Sequence, residues 1–109
     1  MKLSDPAIIA KEKLTEYLLK WQPENDKSKF LEKAGYTQAL WQQLADDIRK
    51  QIFSLDAKLI RKTPYGDMHE IRGFMTGPNG VSLKVVTVWM AEYKTHNTKF
   101  ITLYPDEED

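Results

Sequence analysis

A chain of 109 residues holds one hydrophobic core, and at this length it buries roughly two thirds of the surface its unfolded form exposes, so it needs no staples to fold. Cysteine is absent, which excludes disulfides, thiolate metal sites and cysteine nucleophiles, and sixteen basic against sixteen acidic side chains argue against a strongly electrostatic nucleic-acid binder. No apolar run approaches the ~20 residues of a membrane span and Met1 to Pro6 lack a secretory core, so the expectation is a cytoplasmic protein with no membrane partner.

The chain reads as a single domain with a helical half at residues 1–55, a strand half at 56–105 and an acidic tail at 106–109. In the first half, Leu14, Tyr17, Leu18 and Trp21 follow the i, i+3, i+4, i+7 spacing of an amphipathic helix closed by Pro23, with Asp5-Pro6 offering an earlier start. Asp26 reads as the N-cap of a short second helix carrying Phe30, Leu31 and Ala34, and Gly35 as its left-handed stop. Thr37 opens the longest helix, with the stripe Leu40, Trp41, Leu44, Ala45, Ile48 and Ile52.

Beyond Asp56 the texture changes to short alternating segments, read as strands over residues 57–63, 68–76, 81–93 and 99–105. Pro64-Tyr65-Gly66-Asp67 and Gly77-Pro78-Asn79-Gly80 join the first two pairs as hairpin connections in which glycine supplies positive φ. Helices followed by strands predict an α+β fold, with three N-terminal helices packed on one face of a four-stranded antiparallel sheet. If Gly80 takes the left-handed position, Gly77 faces Val81 and the pairing runs Met75 with Leu83, Gly73 with Val85, Ile71 with Thr87 and His69 with Trp89. The helix-facing side then carries Ile71, Met75, Leu83, Val85, Trp89 and Ala91, joined by Ile101 and Leu103, which sends Phe100, Thr102 and Tyr104 to the other side.

On that open face Glu70, Arg72, Lys84, Thr102 and Tyr104 share the sheet with Val86, Val88 and Met90. A carboxylate serves as a general base, a guanidinium grips a phosphate, and a phenol or hydroxyl orients it or donates a proton. These are the roles required when a 2′-hydroxyl attacks its neighbouring phosphate, which assigns catalysis to Glu70, Arg72, Tyr104 and Thr102 and substrate binding to Lys84, with no cofactor and no metal. Equally, alternating charges decorate any half-exposed sheet, and three apolar residues there invite a cover, whether substrate, partner protein or second copy. His69 reads as a core-edge residue and His96 as a loop residue, too far apart and without a carboxylate at ligand spacing for a metal site. Without its acidic tail the body carries sixteen basic and twelve acidic side chains, a net of +4, so the tail is either a solvated terminus or a mask over a phosphate-binding surface.

The strings Lys13-Leu14-Thr15-Glu16-Tyr17-Leu18-Leu19, Asp26-Lys27-Ser28-Lys29-Phe30, Gly35-Tyr36, Gly73 to Gly80, Val86-Thr87-Val88-Trp89 and Ile101-Thr102-Leu103-Tyr104-Pro105 carry a resemblance covering most of the chain. It resembles an uncharacterised bacterial domain family, often cyanobacterial, also seen at the C-termini of haemagglutinin-type polymorphic toxins. More distantly it is similar to the small metal-independent RNases that include barnase, EndoU, colicin nuclease and RelE-type domains. That resemblance implies RNA as substrate, cleavage on the face away from the helices, and an antitoxin-like inhibitor as partner, with Lys13 and Lys27 as further substrate-binding residues if the N-terminal helix folds over the sheet edge. The competing expectation is a non-catalytic interaction module, including a homodimer formed through the open face.

Overall fold

The structure, a computed structural model, describes residues 1–107. The chain runs β1 (Ala7–Ile8), α1 (Lys13–Leu18), α2 (Ser28–Glu32), α3 (residues 38–53), β2 (Lys58–Lys62), β3 (Gly66–Thr76), β4 (Ser82–Glu92) and β5 (Thr98–Pro105). The strands form one sheet in the order β1-β5-β4-β3-β2, with β1 parallel to β5 and every other pairing antiparallel. The fold is α+β, but the expected four-stranded antiparallel sheet under three helices is overturned: the sheet is five-stranded and mixed, and the helices are short. The extra strand lies where Asp5-Pro6 was expected to start a helix. Thr98 donates its amide to the Pro6 carbonyl at 3.0 Å and its hydroxyl to the Ser4 carbonyl at 2.7 Å, which pins the N-terminal segment to β5.

Helix α1 is wound with i→i+5 hydrogen bonds, and the Leu19 amide continues the pattern to the Leu14 carbonyl at 2.8 Å. This wider winding advances less per residue than an α-helix, and the helix ends at Leu18. Leu14, Leu18 and Leu19 therefore reach the core, whereas Tyr17 and Trp21, expected in the same stripe, are 40% and 60% exposed.

Asp26 caps α2 as read from the sequence, accepting the amides of Ser28 and Lys29 at 3.3 Å each. Gly35, at φ +92°, ends the helix, with Tyr36 donating to Leu31 in a left-handed stop. Helix α3 opens as a tight turn after the extended Thr37, continues as α-helix over Trp41–Asp47 and widens to i→i+5 winding over Ile48–Phe53. Its residues Leu44, Ala45, Ile48 and Ile52 are buried. Buried Asp47 accepts a 2.6 Å hydrogen bond from Tyr36, and burial together with that bond pushes the Tyr36 phenol well above its usual range.

The β3–β4 turn forms as its residues require. Gly80 sits at φ +86°, Gly77 donates to Val81 at 3.0 Å and the Asn79 side chain accepts the Val81 amide at 3.0 Å. The register follows: His69 faces Trp89, Ile71 faces Thr87, Gly73 faces Val85 and Met75 faces Leu83. Gly66, expected to supply positive φ in the other hairpin, does not; a Cβ there would stand 2.8 Å from Met90 Cγ, so close approach is what demands glycine.

The core lies between this sheet face and the helices, centred on Trp89, which packs against Phe53 at 5.0 Å and Phe100 at 5.3 Å between ring centroids. Phe100 corrects a sequence expectation. Val88 pairs with Thr102 but Trp89 pairs with Phe100, so Ile101 is the extra residue of a β-bulge that turns Phe100 into the core and leaves Ile101 half-buried. Among the described residues no helix is long and apolar enough to cross a membrane.

Candidate functional site

Pairing arranges the open face in rows. Glu70, Val88 and Thr102 form one row across β3, β4 and β5; Arg72, Val86 and Tyr104 form the next; Phe74 and Lys84 follow. The two valines are 8% and 0% exposed within a single chain, so they form the floor under the longer polar side chains and need no second molecule to cover them.

Arg72 is the centre of the upper row. Its Nε donates to Glu70 at 3.3 Å and a terminal nitrogen donates to Asp106 at 2.8 Å. The Glu70 hydrogen bond is the largest effect on the guanidinium and desolvation opposes it, but with the Asp106 hydrogen bond and both negative charges added the pKa is raised and the charge held. Asp106 is itself positioned, since its amide donates to the Lys84 carbonyl at 2.9 Å and its side chain is only 5% exposed. Arg72, Val86, Tyr104, Pro105, Asp106 and Glu107 line a shallow cavity of about 240 Å³. The first residues of the acidic tail thus fold back over the guanidinium, and Asp106 competes with any anion for it. Glu108 and Asp109, the rest of the tail, lie outside the described residues.

The lower row ends at a second, larger cavity. Helix α1 packs against β5 on the side where the short β1 pairs with Thr98 and Lys99, close to the arrangement under which Lys13 and Lys27 were expected to matter. Lys13 joins Ala10, Glu12, Tyr17, Ile101 and Thr102 around about 590 Å³. Lys27 donates to the Tyr17 phenol oxygen at 3.0 Å and lies 5.0 Å from its ring centroid. That hydrogen bond is the largest of the effects that depress the Tyr17 pKa, with burial opposing it and the charges of Lys27 and Lys13 helping. The Thr102 hydroxyl is near enough to favour the ionised phenol, although its buried oxygen makes no hydrogen bond of good geometry.

The structure therefore bonds Glu70 to Arg72, lines one shallow cavity with Arg72 and Tyr104, places Thr102 with Lys13 and Tyr17, and sets Lys84 on the same face beside Phe74. Tyr17 escaped the sequence reading because helical periodicity assigned it to the core. Asp106 was visible only as part of a charged terminus. Away from this face, His69 and His96 line one cavity of about 790 Å³ under the N-terminal segment, a meeting that their distance in sequence concealed.

A single open sheet, backed by short helices on one side and presenting charged rows on the other, defines the molecule as a small α+β domain with an accessible polar face. Within that class the chain belongs to the family described as a domain of unknown function (DUF6883), whose sequence profile matches residues 2–107. No curated protein and no solved structure matches the chain significantly.

Proposed function

We propose that this domain binds RNA across its open sheet face and cleaves it as small toxin-type RNases do. The observation that carries the reading is the pair of adjoining rows, where a guanidinium hydrogen-bonded to a carboxylate shares its row with a phenol across an apolar floor. Arg72 holds the scissile phosphate and Glu70 takes the proton of the 2′-hydroxyl as its oxygen bonds to phosphorus. The bond to the 5′-oxygen breaks, and Tyr104 supplies the proton to that leaving oxygen. The product is a cyclic phosphate and a free 5′-hydroxyl. Thr102 orients the adjoining nucleotide, while Lys84, Lys13 and Lys27 attract the flanking phosphates. An antitoxin-like inhibitor covering the same face fits this reading, as does the resemblance to the C-terminal domains of polymorphic toxins.

The test is total-RNA integrity after expression. Wild type is expected to fragment RNA, Arg72→Ala to leave it intact, and Asp106→Asn, which loosens the lock on the guanidinium, to fragment it faster. Intact RNA with both wild type and Asp106→Asn at high expression overturns the reading.

A non-catalytic interaction module is the second reading, and strand β2 is what favours it. All five of its residues are exposed at the sheet edge, with Leu59 at 43% and Ile60 at 45%, an arrangement suited to pairing with a strand of a partner or of a second copy. Concentration-dependent association abolished by Ile60→Pro, with RNA left intact, is its signature.

A further inference from the structure

Helix α1 and strand β5 enclose a site beyond the charged rows. The cavity of about 590 Å³ between them falls within the size range of small-molecule sites, and its wall is largely apolar, with Ala10 and Ile101 on either side of the Tyr17 ring. Thr102, which also lines it, belongs to the row that runs across β4 to Glu70, so the cavity adjoins the open face of the sheet.

Two independent observations point to a ligand. The first is the turn of Tyr17 out of the core. The i→i+5 winding of α1, rare in proteins and frequent at functional sites, seats Leu14 and Leu18 in the core and leaves Tyr17 40% exposed at the cavity. An aromatic ring beside a roomy apolar space is a stacking surface for a flat ligand.

The second is positive charge without a counter-ion. Lys13 is half-buried at the same cavity and forms no ion pair among the described residues; its charge bears on the Tyr17 phenol instead. Lys27 gives one N–H to the Tyr17 oxygen at 3.0 Å and keeps two more. Because that oxygen accepts from Lys27, the phenol proton is left to donate. The Lys27 hydrogen bond, with burial opposing it, also holds the phenol below its ordinary range, which strengthens it as a donor. Negative charge nearby is slight: Glu12 lines the cavity but is exposed, and Glu16 is engaged by Lys20 at 3.8 Å. Two ammonium groups and a phenol O–H beside an apolar wall match an oxyanion carried on a flat body, the chemistry of a nucleoside monophosphate.

We propose that the cavity between α1 and β5 seats one nucleotide, its base stacked on Tyr17 and its phosphate held by Lys13 and Lys27. The choice of a nucleotide over other flat oxyanions rests on the RNA reading, but the site is measured by binding and not by cleavage. Adenosine 3′-monophosphate serves as probe, followed by calorimetry and by the backbone amide resonances of α1 and β5. Wild type is expected to bind it at about millimolar affinity or tighter, with Tyr17 and Thr102 shifting. Tyr17→Leu removes the ring and Lys13→Met removes the charge. Each is expected to weaken binding about tenfold while the melting temperature holds, since neither side chain is buried in the core. Tyr17→Phe keeps the stacking surface and is expected to retain more affinity than Tyr17→Leu. Adenosine and inorganic phosphate, each carrying one part of the ligand, are expected to bind more weakly than the whole. No binding by folded wild type, undiminished binding by a folded Tyr17→Leu or Lys13→Met, or shifts confined to residues around Arg72 overturns the proposal. Mononucleotide binding with total RNA left intact supports the cavity and sinks only the cleavage, whereas RNA fragmentation without mononucleotide binding sinks the cavity alone.

Discussion

Tyr17 and Tyr36 show how one side chain type acquires opposite chemistry from its surroundings. Tyr17 accepts a hydrogen bond from the Lys27 ammonium, which stabilises the phenolate; Tyr36 is buried and donates to a carboxylate, which stabilises the phenol. Tyr93, bonded to Asp67, is shifted upward as well. A spectroscopic pH titration should therefore resolve one tyrosine that ionises early, before the ordinary phenol range, and two that ionise late. The sign follows from the shift: as pH rises, Tyr17 loses its proton first because its folded-state pKa lies below the unfolded value. Lys27→Met should move that early step upward, and a titration unchanged by the substitution removes the assignment. Neither direction is written in the sequence, since Lys27 is ten positions from Tyr17 and Asp47 is eleven from Tyr36. By contrast Asp26 as a cap and Gly35 as a stop were legible, because their partners lie within a few residues.

Among the elements, the β3–β4 hairpin carries the register of both sheet faces, and it is also clamped from outside. Asn79 donates its side-chain amide to the Lys33 carbonyl at 3.0 Å, and Gly77 lies so close to Ala34 that a Cβ there would collide with the Ala34 carbonyl and stand 2.6 Å from its methyl. Gly77→Ala should thus destabilise the fold by about 1–3 kcal/mol through overpacking, measured by denaturant unfolding, whereas a neutral outcome means the turn and α2 separate freely. The turn residues and the alternation were readable because a hairpin register is a local property. The bulge at Ile101 was not. Strict alternation sends Phe100 outward, and only the pull of the Trp89 and Phe53 rings makes an extra residue in β5 worthwhile. Helix α1 departs for a similar reason: its wider winding seats Leu14, Leu18 and Leu19 together in the core at the expense of Tyr17, a choice that propensity does not contain.

At the scale of the molecule, the N-terminal segment links parts that nothing in its composition associates. It pairs β1 with β5, buries Leu3, covers the histidine cavity and ties back to the start of β2 through Ala57. Removing residues 1–8 should cost about 2–4 kcal/mol in stability and speed hydrogen exchange at the Thr98 amide, which loses its Pro6 acceptor. Unchanged protection at Thr98 would show the strap to be dispensable. The sequence by itself determined the α+β class, the two central strands and their register, the turn that sets it, and, Phe100 apart, the side chains that share the open face. These follow from period, turn chemistry and caps, whose causes lie within about ten residues along the chain. Only the tertiary structure decided the fifth strand, the bulge, the outward turn of Tyr17, the folding of Asp106 onto Arg72 and the meeting of His69 with His96. Each of those depends on partners brought together by the closed fold, where burial and charge are set by neighbours in space rather than in sequence.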